Sequence, residues 1–120
     1  MKILAVINES SVLTELNAVL KKIFPYADVI QETDPLMACK YSFNNEVNYA
    51  FASEDMKRMS GSDLLQFIKK EHPSAKTYLI FKDALSSSMT ICDDSDGSIC
   101  YPFSTEELTE ILKDDSVVGN

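Results

Sequence analysis

The sequence predicts an α/β fold built on a parallel sheet, and three observations carry that prediction. Apolar runs of strand length alternate with segments of helical period. Two of those runs, residues 47–52 and 77–81, are almost continuously apolar, as strands covered on both faces are. The chain has 120 residues, 45% of them hydrophobic and 25% charged, with three Gly and four Pro. That suits a single domain burying about two-thirds of its unfolded surface without disulfides or a structural metal.

The first strand is read over Ile3 to Ile7. Val12, Leu13, Leu16, Val19, Leu20 and Ile23 then recur at helical spacing, with Ser10 or Ser11 available to cap their helix. The second strand, Ala27 to Ile30, is mixed because Asp28 interrupts it. Asp34-Pro35 is a cap followed by proline at the first helical position, opening a helix with Leu36, Cys39 and Phe43 on one face. Val47 to Ala52 and Tyr78 to Phe81 form the third and fourth strands, expected mid-sheet. Between them, Ser60 and Asp63 make a capping-box pattern ahead of Leu64, Leu65 and Ile68.

After Phe81 the pattern weakens. Leu85 to Asp94 is serine-rich and lacks a clear period, so its helix is expected to be short or mobile. Ile99 to Tyr101 supplies a brief fifth strand, and Ser104 with Glu107 opens a last helix carrying Leu108, Ile111 and Leu112. Residues 115–120 lose the period and are expected to fray, which leaves 1–114 as the domain. No repeat or linker divides it.

Composition excludes several classes of function. Lys and Arg total 11 against 19 Asp and Glu, a net charge of −8, which repels phosphate backbones and anionic lipid. Direct nucleic-acid binding is not expected. Cys39, Cys92 and Cys100 are odd in number, far apart and free of any C-x-x-C pair, so they read as buried reduced thiols. No stretch reaches the roughly 20 apolar residues of a membrane span. Met1-Lys2 runs straight into a short apolar segment with no long leader-like region, and a cytoplasmic location is expected.

In an open parallel sheet, ligands bind beyond the carboxyl ends of the strands. The residues there are Ile7, Asn8, Glu9 and Ser10 after the first strand, and Ser53, Glu54, Asp55 and Met56 after the third. Lys82 and Asp83 follow the fourth, and Tyr101 and Pro102 the fifth.

These positions carry a resemblance. Met1-Lys2-Ile3-Leu4-Ala5-Val6 forms the opening strand, Thr33-Asp34-Pro35 precedes a helix, and Met56, Met59, Ser60 and Gly61 fit a loop of the form D-x-x-M-P-x-M-S-G. Tyr101-Pro102-Phe103 stands where a Lys-Pro pair would precede the last helix. In these respects residues 1–114 resemble the receiver domain of two-component response regulators. The resemblance implies a flavodoxin-like, doubly wound (βα)5 sandwich with a five-stranded parallel sheet in the order 2-1-3-4-5.

The family's chemistry is phosphoryl transfer to an aspartate, assisted by Mg²⁺ on acidic residues, with a Thr or Ser and a Lys binding the phosphoryl oxygens. By the resemblance, Ser53 occupies the acceptor position, Ile7 and Asn8 the acidic pair, Lys82 the hydroxyl and Tyr101 the lysine. Ser98 replaces the switching aromatic, and Lys57 the loop proline. A serine hydroxyl is a poor nucleophile without a base, and Ile7 with Asn8 leaves one neutral carbonyl where the metal wants carboxylates. The resemblance therefore implies a pseudoreceiver: a bacterial phosphorelay-type signalling module, not an enzyme, without cofactor or metal, working by protein contact. Its degenerate pocket comprises Ile7, Asn8, Glu9, Ser53, Lys82 and Tyr101, with the Lys82 ammonium expected to pair with Glu9 or Glu54 in the crevice.

Partner or homodimer contacts are expected around Leu85 to Lys113, with an output domain conceivable after Asn120. Two other readings stay open: a receiver phosphorylated on Asp55 or Glu54, and a small-molecule site of flavodoxin type. The second lacks a loop glycine and a Trp to stack on a flavin, and Glu9 would repel a phosphate there. His72, ahead of Pro73, reads as a structural helix end. Met56 and Met59 read as packing beneath their loop. The expected core includes Ile3, Ala5, Leu16, Val29, Ala50, Phe51, Leu79, Ile80 and Ile99.

Overall fold

In a computed structural model of the chain, which describes residues 1–54, 56, 58–81, 97–100, 106 and 108–110, the strands form one parallel sheet. The elements are β1 (Lys2–Val6), α1 (Ser10–Ile23), β2 (Asp28–Glu32), α2 (Pro35–Asn44), β3 (Tyr49–Ser53), α3 (Gly61–Glu71), β4 (Lys76–Phe81) and β5 (Gly97–Cys100). Their spatial order is β2-β1-β3-β4-β5. The first four strands thus take the predicted order, and the backbone of residues 97–100 adds a fifth at the β4 edge, pairing Tyr78 with Gly97 through Phe81 with Cys100. Residues 106 and 108–110 are helical. The segment Leu85 to Asp94, the Tyr101-Pro102 turn and the tail from 111 lie outside the described residues, as does most of the expected contact surface up to Lys113.

The two-residue period of the strands divides the interior into two cores. Ile3 and Ala5 of β1, Phe51 of β3, and Tyr78 and Ile80 of β4 face α1, where Leu16 and Leu20 are fully buried, together with Ile99 and Leu108. Leu4, Val6, Ala50, Ala52, Leu79 and Phe81 face the other way, onto Ala38 of α2 and onto Leu64, Leu65 and Ile68 of α3. Phe51 and Tyr78 stack with ring centroids 5.4 Å apart. Each fully buried Leu, Ile or Phe contributes about 1.5–3 kcal/mol of transfer free energy. These side chains hold the helices on both faces of the sheet.

Several local expectations need correction. The N-cap of α1 is Glu9, in extended geometry and with no side-chain cap; Ser10 is already helical. Val29 is only partly buried, because β2 is an edge strand whose burial pattern has no fully covered position. Cys39 is half-buried rather than buried. Leu36 and Phe43 face solvent, because α2 turns its small residues, Ala38 and Ser42, toward the sheet and α3. The caps on α2 and α3 form as expected. Asp34 accepts from the Leu36 amide at 3.0 Å with Pro35 behind it, and the Ser60 hydroxyl accepts from the Asp63 amide at 3.2 Å.

Candidate functional site

The ladder hydrogen bonds extend one residue past the regular strands at the carboxyl edge of the sheet and so fix the crevice backbone. The Ile7 amide donates to Glu32 O at 3.1 Å, and the Glu54 amide to Ile80 O at 3.1 Å. Because Val6 pairs with Ala52, Ile7 and Ser53 are neighbours at the ends of adjacent strands. Both are buried, Ile7 at 2% exposure and Ser53 at 4%. Ser53 follows Tyr49 and Phe51 in the strand period, which puts its side chain on the α1 side of the sheet with Ile7. Ile7 itself belongs to the α1-side apolar core. A hydrocarbon and an alcohol sit side by side there, and neither supplies a carboxylate.

Asn8 is exposed and Glu9 half-exposed, both on the turn into α1; the Glu9 carbonyl accepts from the Leu13 amide at 3.0 Å. Glu54 alternates to the opposite side of β3, where the start of α3 holds it. Its carboxylate accepts from the Ser62 hydroxyl, and its carbonyl accepts from the Gly61 amide at 3.3 Å and from the Met56 amide at 3.1 Å. A side chain on Gly61 would bring Cβ to 2.8 Å from Leu79 Cδ1 and from the Ser53 carbonyl carbon, and closer still to Ser53 O. Only glycine lets the helix seat this close to the strand end.

The loop between β3 and α3 is tied sideways to α2. Arg58, whose φ of 71° is left-handed, reaches the Asp34 carboxylate at 3.5 Å. Met59 Sδ lies 3.8 Å from Cys39 Sγ, and Met56 and Met59 both pack on the α3-side core, as expected of them. Burial pushes the Cys39 thiol above its ordinary pKa, which disfavours the nucleophilic thiolate.

His72 closes α3 at the far end. Its backbone amide donates to Ile68 O at 2.7 Å, and its Nε2 lies 2.7 Å from Ser42 O in the last turn of α2. With α3 about 16 Å long, no imidazole approaches Ser53. Among the described residues, no group of three or more His, Cys, Asp or Glu is arranged to hold a metal ion. The Lys82, Tyr101 and Asp55 positions and the proposed Lys82 ion pair lie outside the described residues. Sequence reasoning found the strand-end positions but missed the Ser62–Glu54 hydrogen bond. Its only trace was a second serine just inside the cap of α3.

Neither a scan against protein-family models nor a search of curated proteins finds a match. Solved structures do match. A response regulator receiver domain protein from Methanospirillum hungatei superposes with a TM-score of 0.80 at 21% identity, covering 95% of this chain and 91% of that one. The response regulator TrrA from Thermotoga maritima, in complex with Mg²⁺ and beryllofluoride, gives 0.81 at 21% identity, covering 94% and 96%. The receiver domain of a sensor histidine kinase from Pseudomonas aeruginosa, with magnesium in its active-site cleft, gives 0.79 at 17% identity and 93% coverage of both chains.

The chain has the receiver fold. At these identities the likeness is one of architecture, and the chemistry must be argued from the strand-end residues. Among the described residues, no helix is long and apolar enough to cross a membrane.

Proposed function

We propose that this chain is a receiver-like signalling module of the two-component type that works through protein contacts and is not phosphorylated. The observation that carries the reading is the buried pair at the ends of β1 and β3. Ile7 is packed into apolar core where receivers need a metal-binding carboxylate, and Ser53, at 4% exposure, stands at the acceptor position. A divalent ion needs several hard oxygen ligands, and an isoleucine supplies none. A serine hydroxyl needs an adjacent base to be activated for attack on phosphorus. The described residues do not fit a magnesium ion, so no phosphoryl-transfer step is assigned to this crevice. In this reading the module is cytoplasmic and bacterial, and it meets a partner protein or an output domain in a single conformational state.

Phosphorylation on Glu54 is disfavoured by a specific contact. Its carboxylate is held by Ser62 at the start of α3, on the side of β3 opposite Ser53. The test is an NMR titration of the labelled chain with beryllofluoride and Mg²⁺, alongside intact-mass measurement after incubation with acetyl phosphate. The amides of Ile7, Ser53 and Glu54 should stay in place, and the mass should not change. Saturable shifts at those amides, or a mass gain of one phosphoryl group, overturn the proposal.

A further inference from the structure

In a parallel sheet the strands all start, and the crossover helices end, at the edge opposite the crevice. Backbone bonds fix that amino edge. The Asp28 amide donates to Met1 O at 2.9 Å, the Asn48 amide to Lys2 O at 2.9 Å and the Lys76 amide to Asn48 O at 3.0 Å, while Asn48 Oδ1 accepts from the Lys2 amide at 2.7 Å. Lys2 and Lys76 thus stand on either side of β3. Two helices bring further cations to the same edge: Lys21 and Lys22 in the last turn of α1, and Lys69 and Lys70 in the last turn of α3. The Lys69 ammonium folds back onto Ala75 O at 2.6 Å, beside the start of β4.

These six lysines are more than half of the chain's 11 basic residues. Among the described residues they share the edge with three carboxylates, Asp28, Glu46 and Glu71, and Asp28 is taken up by Lys2 at 2.8 Å. The carboxyl edge has the opposite sign, with Glu9, Glu32, Asp34, Glu54 and Asp63 against Arg58 among the described residues. A chain of net charge −8 therefore carries one positive face. Lysines that end a helix complement its dipole, but a sheet has little net dipole, so that explanation does not reach Lys2 and Lys76.

Shape adds to charge. A cleft of about 460 Å³, lined by Met1, Glu46, Asn48, Tyr49, Ser74 and Lys76, opens at the strand starts. Tyr26, in the turn after α1, is 97% exposed, and exposed aromatic side chains are enriched where proteins meet. We propose that this edge docks a short acidic segment of a partner protein, with its carboxylates against the lysines and one of its side chains in the cleft. The molecule measures 35 Å along its longest axis, so a long polyanion or an anionic bilayer would run past the patch onto the acidic remainder of the surface and be repelled. The inference does not depend on the crevice chemistry.

The probe is a short peptide of alternating glutamate and leucine, titrated into the isotope-labelled chain and followed by NMR. The amides of Lys2, Tyr26, Asn48 and Lys76 should shift saturably while those of Ser53 and Glu54 stay in place, and added salt should weaken binding steeply. Lys22→Glu/Lys70→Glu should weaken it by about tenfold or more. Glu46→Gln should tighten it, a gain that a destabilised fold would not give. All three positions are exposed, and unchanged far-ultraviolet circular dichroism checks the fold. The proposal is overturned by the absence of saturable shifts at about 1 mM peptide, by shifts at the carboxyl edge instead, or by a Lys22→Glu/Lys70→Glu variant that binds like wild type. A Glu46→Gln variant that binds no more tightly, or anionic phospholipid vesicles or polyphosphate binding more tightly than the peptide, overturns it as well.

Discussion

Replacing Gly61 by alanine tests the feature that shapes the crevice, the seating of α3 on the end of β3. The added methyl would sit 2.8 Å from Leu79 Cδ1 and from the carbonyl carbon of Ser53. Leucine can rotate away, but the Ser53 backbone is held in the ladder opposite Ile80. The helix start must therefore retreat by more than about 0.5 Å to regain ordinary van der Waals distance. Overpacking of this kind costs about 1–3 kcal/mol, and alanine's better helix propensity offsets at most about 1 kcal/mol of it. The expected net loss is about 1–2 kcal/mol, or roughly 4–8 °C in Tm for a domain of this size. Differential scanning calorimetry measures the Tm, and NMR should show the Ser53 and Glu54 amides moving with it. An unchanged or raised Tm would refute the close approach, since only the helix-propensity gain would then be operating.

Three further outcomes follow from named contacts. Ser53→Asp alone should not create a phosphoryl acceptor, because Ile7 still supplies no metal ligand; intact mass after acetyl phosphate with Mg²⁺ should be unchanged, and a phosphorylated species would count against the role given to Ile7. Asp34→Ala removes the side-chain cap on the Leu36 amide and the carboxylate facing Arg58, and should lower stability by about 1 kcal/mol in urea titration.

The third outcome concerns pH. Asp28 lies below its ordinary pKa because the Lys2 ammonium hydrogen-bonds and attracts it, and Lys2 is raised by the same contact at 2.8 Å. The carboxylate's contribution is present above its unfolded-state pKa and is lost as pH falls through the folded value. That of the ammonium is present below its unfolded-state pKa and is lost as pH rises through the folded value. Asp28→Asn should therefore flatten the Tm profile at both extremes. In about 1 M salt the variant and wild type should converge, because the pair is fully exposed to screening.

Much of the crevice was legible because strand ends can be read from where apolar runs stop. Ile7, Asn8, Ser53 and Glu54 all lie at the carboxyl edge. The partners of those residues were not legible. Nothing in the spacing of Glu54 and Ser62 distinguishes a hydrogen bond from two solvated side chains, since it depends on how closely α3 packs. Leu36 and Phe43 marked α2 as a helix, but their outward orientation depends on which face the neighbouring layers accept, and they accept Ala38 and Ser42.

By itself, the sequence determined the alternation of strands and helices, the caps at Asp34 and Ser60, and the apolar character of the sheet interior. Those features rest on local periodicity and on hydrogen bonds between near neighbours. Only the tertiary structure decided that Ile7 and Ser53 are buried side by side, that Gly61 touches the end of β3, and that α2 turns its large side chains to solvent. Each depends on residues distant in the chain competing for the same volume.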